Sequence, residues 1–140
     1  MILYIYLTQC LIIAICDLKN RIIPDVVIGC GIMLAVLLNN HSHLGLWGSL
    51  LGMMTGALSI FIAGCLCFLI SPVPALGGGD VKLLGMIGAF WGWEVALITL
   101  AIAPFLGSLW AGIMNRTKNA YGVFLIVSSL IALGVKYAIH

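Results

Sequence analysis

Charged side chains are scarce in this sequence. Six lysines and arginines and four acidic residues are spread over 140 residues, and the mean hydropathy is +1.26. This is too little polar surface to cover a soluble globule of this size, so the composition excludes one. It indicates an integral membrane protein. A membrane span needs about 20 apolar residues, so the chain holds at most about six helices with short loops.

Patterns of metal ligands and of activated nucleophiles are also missing. The five cysteines lie in apolar stretches without a histidine nearby, and Ser71 has no histidine or lysine partner in its loop. The spacing therefore argues against a zinc site, a disulfide framework and a serine nucleophile. We expect no cofactor, no metal and no nucleic-acid partner, which leaves the acidic residues as the candidate catalytic groups.

Apolar runs separated by polar, glycine or proline residues predict an all-α integral membrane protein with about six transmembrane helices. The fourth predicted span is short and turns at Trp91-Gly92-Trp93. The predicted spans cover residues 1–16, 26–38, 44–70, 81–90, 95–114 and 121–139. The first of them is short unless its helix continues into the following loop.

Basic residues predict the orientation of these spans, because cytoplasmic loops retain positive charge. One side of the predicted topology carries five basic residues and the other side carries only Lys136. The first side is therefore predicted to be cytoplasmic, with the amino terminus outside. The five residues are Lys19, Arg21, Lys82, Arg116 and Lys118.

The same topology sorts the four acidic residues. Asp17, Asp25 and Asp80 fall at the cytoplasmic ends of spans, whereas Glu94 falls on the opposite side. Acids at or in a membrane are costly and are functional candidates by default. Two carboxylates placed close together share one proton, so one can activate water while the other polarises a peptide carbonyl. Such a pair must include Asp80, and the spacing alone does not choose between Asp17 and Asp25 as its partner.

Glycine surrounds Asp80 and also forms a stripe on the third span. Gly77, Gly78 and Gly79 precede the acid, and we expect an irregular, open segment there that lets a substrate strand approach closely. The stripe predicts close helix packing in the membrane. It consists of Gly48, Gly52, Gly56 and Gly64.

Three blocks of the sequence carry a family resemblance. Gly77-x-Gly79-Asp80-Val81-Lys82-Leu83 resembles the GxGD signature of the type IV prepilin peptidases, intramembrane aspartyl proteases that include the archaeal preflagellin peptidases. Asp17-Leu18-Lys19-Asn20-Arg21-Ile22-Ile23-Pro24-Asp25 resembles the family's other block. The segment Tyr121-Gly122-Val123-Phe124-Leu125 is similar to a late glycine-containing segment, although Ala120 and Val123 stand where prolines are frequent.

The resemblance implies a function and a site. Asp17 and Asp80 would be the catalytic pair, in a GxGD-protease-like bundle that cuts the short basic leader from type IV prepilin-like precursors just before their hydrophobic helix. The glycines before Asp80 would form an active-site loop. Asp25 is interpreted either as a substrate or orientation contact or as a cap of the second helix. The basic residues near these acids are interpreted as orientation and phospholipid contacts: Lys19, Arg21 and Lys82.

The resemblance also implies where the chain acts and what it omits. It would lie in the cytoplasmic membrane as a multi-pass protein with its active site facing the cytoplasm. Residues 1–140 would form a single peptidase domain without the amino-terminal methyltransferase and zinc region of longer members. We therefore expect cleavage without N-methylation.

Two other classes of protein fit parts of the pattern. A small cation-coupled carrier would place an acid near the middle of the bilayer, whereas these four acids fall near predicted span ends. A non-catalytic assembly subunit would use the glycine stripe for packing and would tolerate Asp17→Asn and Asp80→Asn.

Overall fold

The computed structural model describes residues 1–20, 24–40, 44–70, 78–114 and 121–139. Within these residues the chain forms one helix for each predicted span. The helices are α1 (Ile2–Asn20), α2 (Asp25–Asn39), α3 (Gly45–Ile70), α4 (Gly78–Trp91), α5 (Trp93–Met114) and α6 (Tyr121–Ile139). The all-α prediction is confirmed. Among the described residues, α1, α3 and α5 are long and apolar enough to cross a membrane, and α2 and α6 are shorter apolar helices.

Two helices extend beyond their predicted ends toward the candidate acids. Helix α1 continues to Asn20, so Asp17 lies on the helix rather than in a loop. Helix α4 begins at Gly78, so Gly78, Gly79 and Asp80 form its first turn. The prediction of an irregular loop is therefore wrong for Gly78 and Gly79, while Gly77 lies outside the described residues. An acid in the first turn favours the helix, because its charge lies near the positive end of the helix dipole.

The turn between α4 and α5 was predicted correctly at Trp91-Gly92-Trp93. Gly92 has a φ of +90°, a conformation that side chains with a Cβ atom rarely adopt. Its amide donates to the carbonyl of Gly88 and closes the end of α4. The chain therefore reverses over a single residue, and α5 starts directly against the helix that precedes it.

Helix α4 lies at the centre of the bundle. Every residue from Leu83 to Trp91 is buried, and the helix packs against α2, α3, α5 and α6. Its 14 residues span about 21 Å, less than the roughly 30 Å of a bilayer core. A helix that is covered on all sides needs no polar face, which explains the unbroken apolar sequence after Lys82.

The predicted glycine stripe is confirmed as a packing surface at two of its positions. A Cβ atom on Gly56 would lie 2.6 Å from the carbonyl oxygen of Leu84, and one on Gly52 would clash with the carbonyl oxygen of Gly88. A Cβ on Gly88 would in turn clash with the carbonyl oxygen of Gly52. Helices α3 and α4 therefore meet backbone to backbone. The described atoms nearest to a Cβ atom on Gly48 belong to Leu44 of its own segment.

Contacts between helices fix their relative directions. Asp25 at the start of α2 bonds to Lys82 near the start of α4, and Asn39 at the end of α2 bonds to carbonyl oxygens at the end of α4. Helices α2 and α4 therefore run in the same direction. The pairings of Gly52 with Gly88 and of Gly56 with Leu84 show that α3 runs antiparallel to them.

Candidate active site

The four acidic residues fall into two classes. Asp17 and Asp80 are buried, with exposures of 5% and 7%. Asp25 and Glu94 lie at the surface, and each forms an ion pair: Asp25 with Lys82 at 2.7 Å and Glu94 with Lys136 at 3.3 Å. A buried carboxylate is costly unless it has partners. The burial of Asp17 and Asp80 therefore needs a structural or chemical reason, whereas Asp25 and Glu94 are ordinary surface residues.

Asp17 lies on the inward face of α1. The same face carries Tyr6, Cys10 and Ile13, all of which are buried. The hydroxyl group of Tyr6 bonds to Ser129 of α6, and the ring contacts Trp91 of α4 edge-on. Helix α1 is therefore held against both α4 and α6, and Asp17 follows on this face near the end of the helix.

The start of α6 contacts Asp17 directly. The backbone N–H of Val123 donates to Oδ2 of Asp17 over 3.2 Å. Val123 is the third residue of α6, and the first four N–H groups of a helix have no acceptor within the helix. The carboxylate of Asp17 satisfies one of these donors and lies near the positive end of the helix dipole. This contact fixes the orientation of the carboxylate.

Asp80 lies near the same end of the bundle, in the first turn of α4. Gly78 is exposed, and a Cβ atom built on it would meet no atom of the described residues within 4 Å. Helix α6 packs against both α1 and α4, so it links the two helices that carry the buried acids.

Asp25 does not cap α2, contrary to one expectation from the sequence. The N-cap position of α2 is Pro24, and no side chain caps that helix end. The carboxylate of Asp25 instead accepts a hydrogen bond from the ammonium group of Lys82, two residues after Asp80. Lys82 thus joins the first turn of α4 to the first turn of α2. Their ion pair is half-exposed, with side-chain exposures of 51% and 67%.

The remaining predicted residues add little to this geometry. Lys19 is exposed at the end of α1, whereas Arg21 and Gly77 lie outside the described residues. Sequence reasoning missed the backbone N–H of Val123 as a partner of Asp17. The signal was present in the block Tyr121-Gly122-Val123, which was noted for its resemblance but was not linked to an acid. The pairing of Asp17 with Asp80 stays a prediction.

Comparisons with known proteins identify the family of the chain. The model of the type IV leader peptidase family matches residues 4–112, which include both buried acids. The chain is 31% identical to the prepilin leader peptidase/N-methyltransferase of Pseudomonas aeruginosa over 134 residues, covering 88% of this chain and 45% of that protein. A protein of the same name from Klebsiella pneumoniae is 37% identical over 101 residues, covering 71% and 44%. The one from Escherichia coli is 26% identical over 140 residues, covering 94% and 62%.

The chain spans about half the length of the curated relatives it matches. No solved structure has significant similarity to it. The family match begins in the first turn of α1 and ends near the end of α5, so five of the helices described above lie in the matched region. A match over most of the chain, with Asp17 and Asp80 inside it, shows that the chain belongs to the type IV leader peptidase family.

Proposed function

We propose that the chain is a prepilin leader peptidase, an aspartic endopeptidase that removes the leader of prepilin-like precursors with Asp17, Asp80 and water. The observation that carries this proposal is the burial of these two of the four acids, each at a helix end of the bundle. The names of the relatives supply the substrate class. Those names contain two activities, and Asp17 and Asp80 explain the peptidase activity.

The chemistry needs two carboxylates in different protonation states. The ionised member takes a proton from water, and the water oxygen attacks the carbonyl carbon of the scissile bond. The protonated member donates a hydrogen bond to the carbonyl oxygen and so stabilises the negative charge that develops there. The acid that took the proton from water then gives it to the amide nitrogen, the C–N bond breaks, and that acid returns to its ionised state. Two acids that share one proton provide both states, and their titration belongs to the pair.

Structural contacts support distinct duties for the two acids. The N–H of Val123 holds the carboxylate of Asp17 in one orientation, as a residue that positions water must be held. Asp80 follows Gly78 and Gly79 in the first turn of α4, and the residues of this helix from Leu83 onward are buried, so the substrate strand reaches the acid at this first turn. Lys82 is engaged by Asp25, and we assign it no part in the bond cleavage.

The proposal includes a location. Basic residues on one side of the predicted topology favour six spans in the cytoplasmic membrane, with the amino terminus outside and the site facing the cytoplasm. Lipid and a prepilin-like precursor are the expected partners, and residues 1–140 act as one transmembrane peptidase domain. A carrier is disfavoured because both buried acids lie near helix ends rather than in helix centres.

Conservative replacement of the acids tests the proposal. In vesicles that contain the chain and a prepilin-like precursor, mass spectrometry follows loss of the leader. We expect Asp17→Asn and Asp80→Asn each to lower the cleavage rate about 10²-fold or more, as loss of a general acid or base does. Glu94→Gln serves as the matched control, because this acid is exposed at the other end of the bundle, and it should retain the wild-type rate.

Two results would contradict parts of the proposal. Full cleavage by the Asp17→Asn protein together with loss of cleavage by Asp25→Asn would replace the proposed pair with Asp25 and Asp80. Failure of the folded wild-type chain to cleave any precursor would remove the peptidase assignment for this chain. Asp25→Asn is expected to lower the rate less than about tenfold, since it removes one half-exposed ion pair.

A further inference from the structure

The two buried acids lie at opposite ends of their own helices. Asp17 is in the last turn of α1, which ends at Asn20, and Asp80 is the third residue of α4. The carboxyl end of a helix carries a partial negative charge and the amino end a partial positive charge. Helix α1 therefore disfavours an ionised Asp17, whereas α4 favours an ionised Asp80. Another contact is needed to reverse this order.

The start of α6 supplies such a contact. We propose that the backbone N–H of Val123 keeps Asp17 ionised and makes it the acid that takes the proton from water, an inference that rests on the proposed function and assigns the roles within its pair. The N–H group donates to Oδ2 of Asp17 over 3.2 Å. A backbone N–H only donates, so it stabilises a carboxylate more than a neutral carboxyl group. Because the pair shares one proton, Asp80 is then the protonated acid that bonds to the substrate carbonyl.

This hydrogen bond outweighs the unfavourable end of α1. A hydrogen bond to a charged group contributes more than nearness to a helix end does, and α6 also brings its own positive end beside Asp17. The side chain of Asp17 is 5% exposed, so water does little to weaken the bond. The ionised acid is therefore chosen by the contact between α1 and α6, and Val123 is a positioning residue of the site.

Helix α1 is attached to α6 at two places. The hydroxyl group of Tyr6 bonds to that of Ser129, and Asp17 accepts the bond from Val123. One contact lies near each end of α1, so together they fix the position and the rotation of this helix against α6. The N–H group is thereby held in front of the carboxylate, as a group that orients a catalytic side chain must be.

In the described part of the chain, few titratable side chains lie at this end of α1 and of the helices around it. Residues 121–124 of α6 include no charged residue. Lys82 of α4 is paired with Asp25 of α2 at 2.7 Å, and Lys19 is exposed, so that water and salt screen its charge. Besides the two acids of the pair, these groups and Cys16 face the surroundings of Asp17 from α1, α2 and α4. The bond from Val123 is the contact on which the proposal rests.

Carbon-13 NMR of the wild-type chain tests which acid is ionised. The chain has three aspartates, so a label at the aspartate carboxyl carbon gives three resonances, which Asp→Asn variants assign. In a pH titration in detergent micelles, we expect Asp17 to show most of its change in the first titration step of the pair and Asp80 in the second. The reverse order, or equal shares of both steps, would overturn the proposal.

Removal of one N–H group tests the part played by Val123. Cell-free synthesis with the hydroxy-acid analogue of valine at position 123 replaces the peptide bond to Gly122 by an ester and leaves the side chain unchanged. The same analogue at position 95 is the matched control, because Val95 is also the third residue of its helix and lies at the opposite end of the bundle. The pH dependence of kcat/KM for the precursor is measured for both. We expect the acid limb to move to higher pH by about 1–2 units for the ester at position 123 and to stay in place for the control.

The limb that moves identifies the role of Asp17. If Asp17 were the protonated acid, loss of the donor would move the alkaline limb instead, and the proposal would be overturned. If both limbs stay in place, the N–H group only holds the helices together, and the proposal falls while cleavage by the wild-type chain upholds the proposed function. If the wild-type chain cleaves no precursor, the proposed function falls and takes the role of Asp17 with it. Should the ester protein not fold, the NMR titration of the wild-type chain decides.

Discussion

Replacing Gly56 by alanine should push α3 and α4 apart. A Cβ atom at this position would lie 2.6 Å from the carbonyl oxygen of Leu84, about 0.8 Å short of the 3.4 Å at which ordinary contact begins. The obstacle is backbone in the buried part of α4, so it cannot rotate away as a side chain can. Overpacking of this kind costs about 1–3 kcal/mol. Because Leu84 is one turn from Asp80, the displacement should also lower activity.

The matched control is Gly134→Ala, since a Cβ atom there meets nothing within 4 Å. Both substitutions gain the same helix propensity of alanine over glycine, about 1 kcal/mol. The difference between the two variants therefore isolates the clash, and we expect Gly56→Ala to be less stable by about 1–3 kcal/mol. Reversible unfolding by SDS in mixed micelles, followed by circular dichroism, measures this difference. Equal unfolding free energies for the two variants would refute the backbone contact between α3 and α4.

Two further predictions concern the ends of α4. Asn39→Ala should destabilise the chain by about 1–3 kcal/mol, because the buried amide nitrogen of Asn39 lies 2.9–3.0 Å from two α4 carbonyl oxygens and from the hydroxyl of a serine of α3. The control is Asn40→Ala at the exposed neighbouring position. Equal unfolding free energies for the two variants would contradict a stabilising role of the Asn39 hydrogen bonds. A double-mutant cycle on Asp25 and Lys82 should give a coupling of about 0.2–1 kcal/mol that weakens with salt. A coupling that does not change with salt would mean that the pair does not act through charge.

The six helices could be predicted because membrane composition leaves few alternatives. Long apolar runs must be helical in lipid, and the polar, glycine and proline residues between them mark the turns. The prediction of a turn at Trp91-Gly92-Trp93 was correct for this reason. A glycine between two apolar runs can adopt the positive φ that this turn requires. Boundaries failed where polar residues continued a helix, as at Asp17 and Lys19.

The start of α4 shows why local patterns mislead. Three glycines before an acid are typical of a loop, yet Gly78 and Gly79 are helical. Glycine disfavours the middle of a helix much more than its first turn, and Asp80 favours the first turn by its charge. Tertiary packing of the following apolar residues against four other helices then outweighs the local preference.

Asn39 lies directly after the second predicted span, which covers residues 26–38. The structure places it in the last position of α2, buried to 1% exposure. Its amide binds carbonyl oxygens at the end of α4 that lack partners within their own helix. Such a bond joins residues 50 positions apart, and a pattern along the sequence does not reveal it. Prediction from sequence was accurate for elements and incomplete for the polar contacts between them.

The division of the four acids gives the strongest physical reason to place chemistry at Asp17 and Asp80. A surface acid paired with a lysine adds little to stability and can be replaced with little consequence, which describes Asp25 and Glu94. A buried acid costs stability unless hydrogen bonds compensate for its desolvation. Asp17 receives such a bond from the backbone N–H of Val123 at the start of α6, and Asp80 lies at the start of α4. Asp17 lies in the last turn of its own helix but beside the positive end of α6, and Asp80 lies at the positive end of α4. A positive helix end next to each carboxylate lowers the cost of keeping these acids inside an apolar bundle.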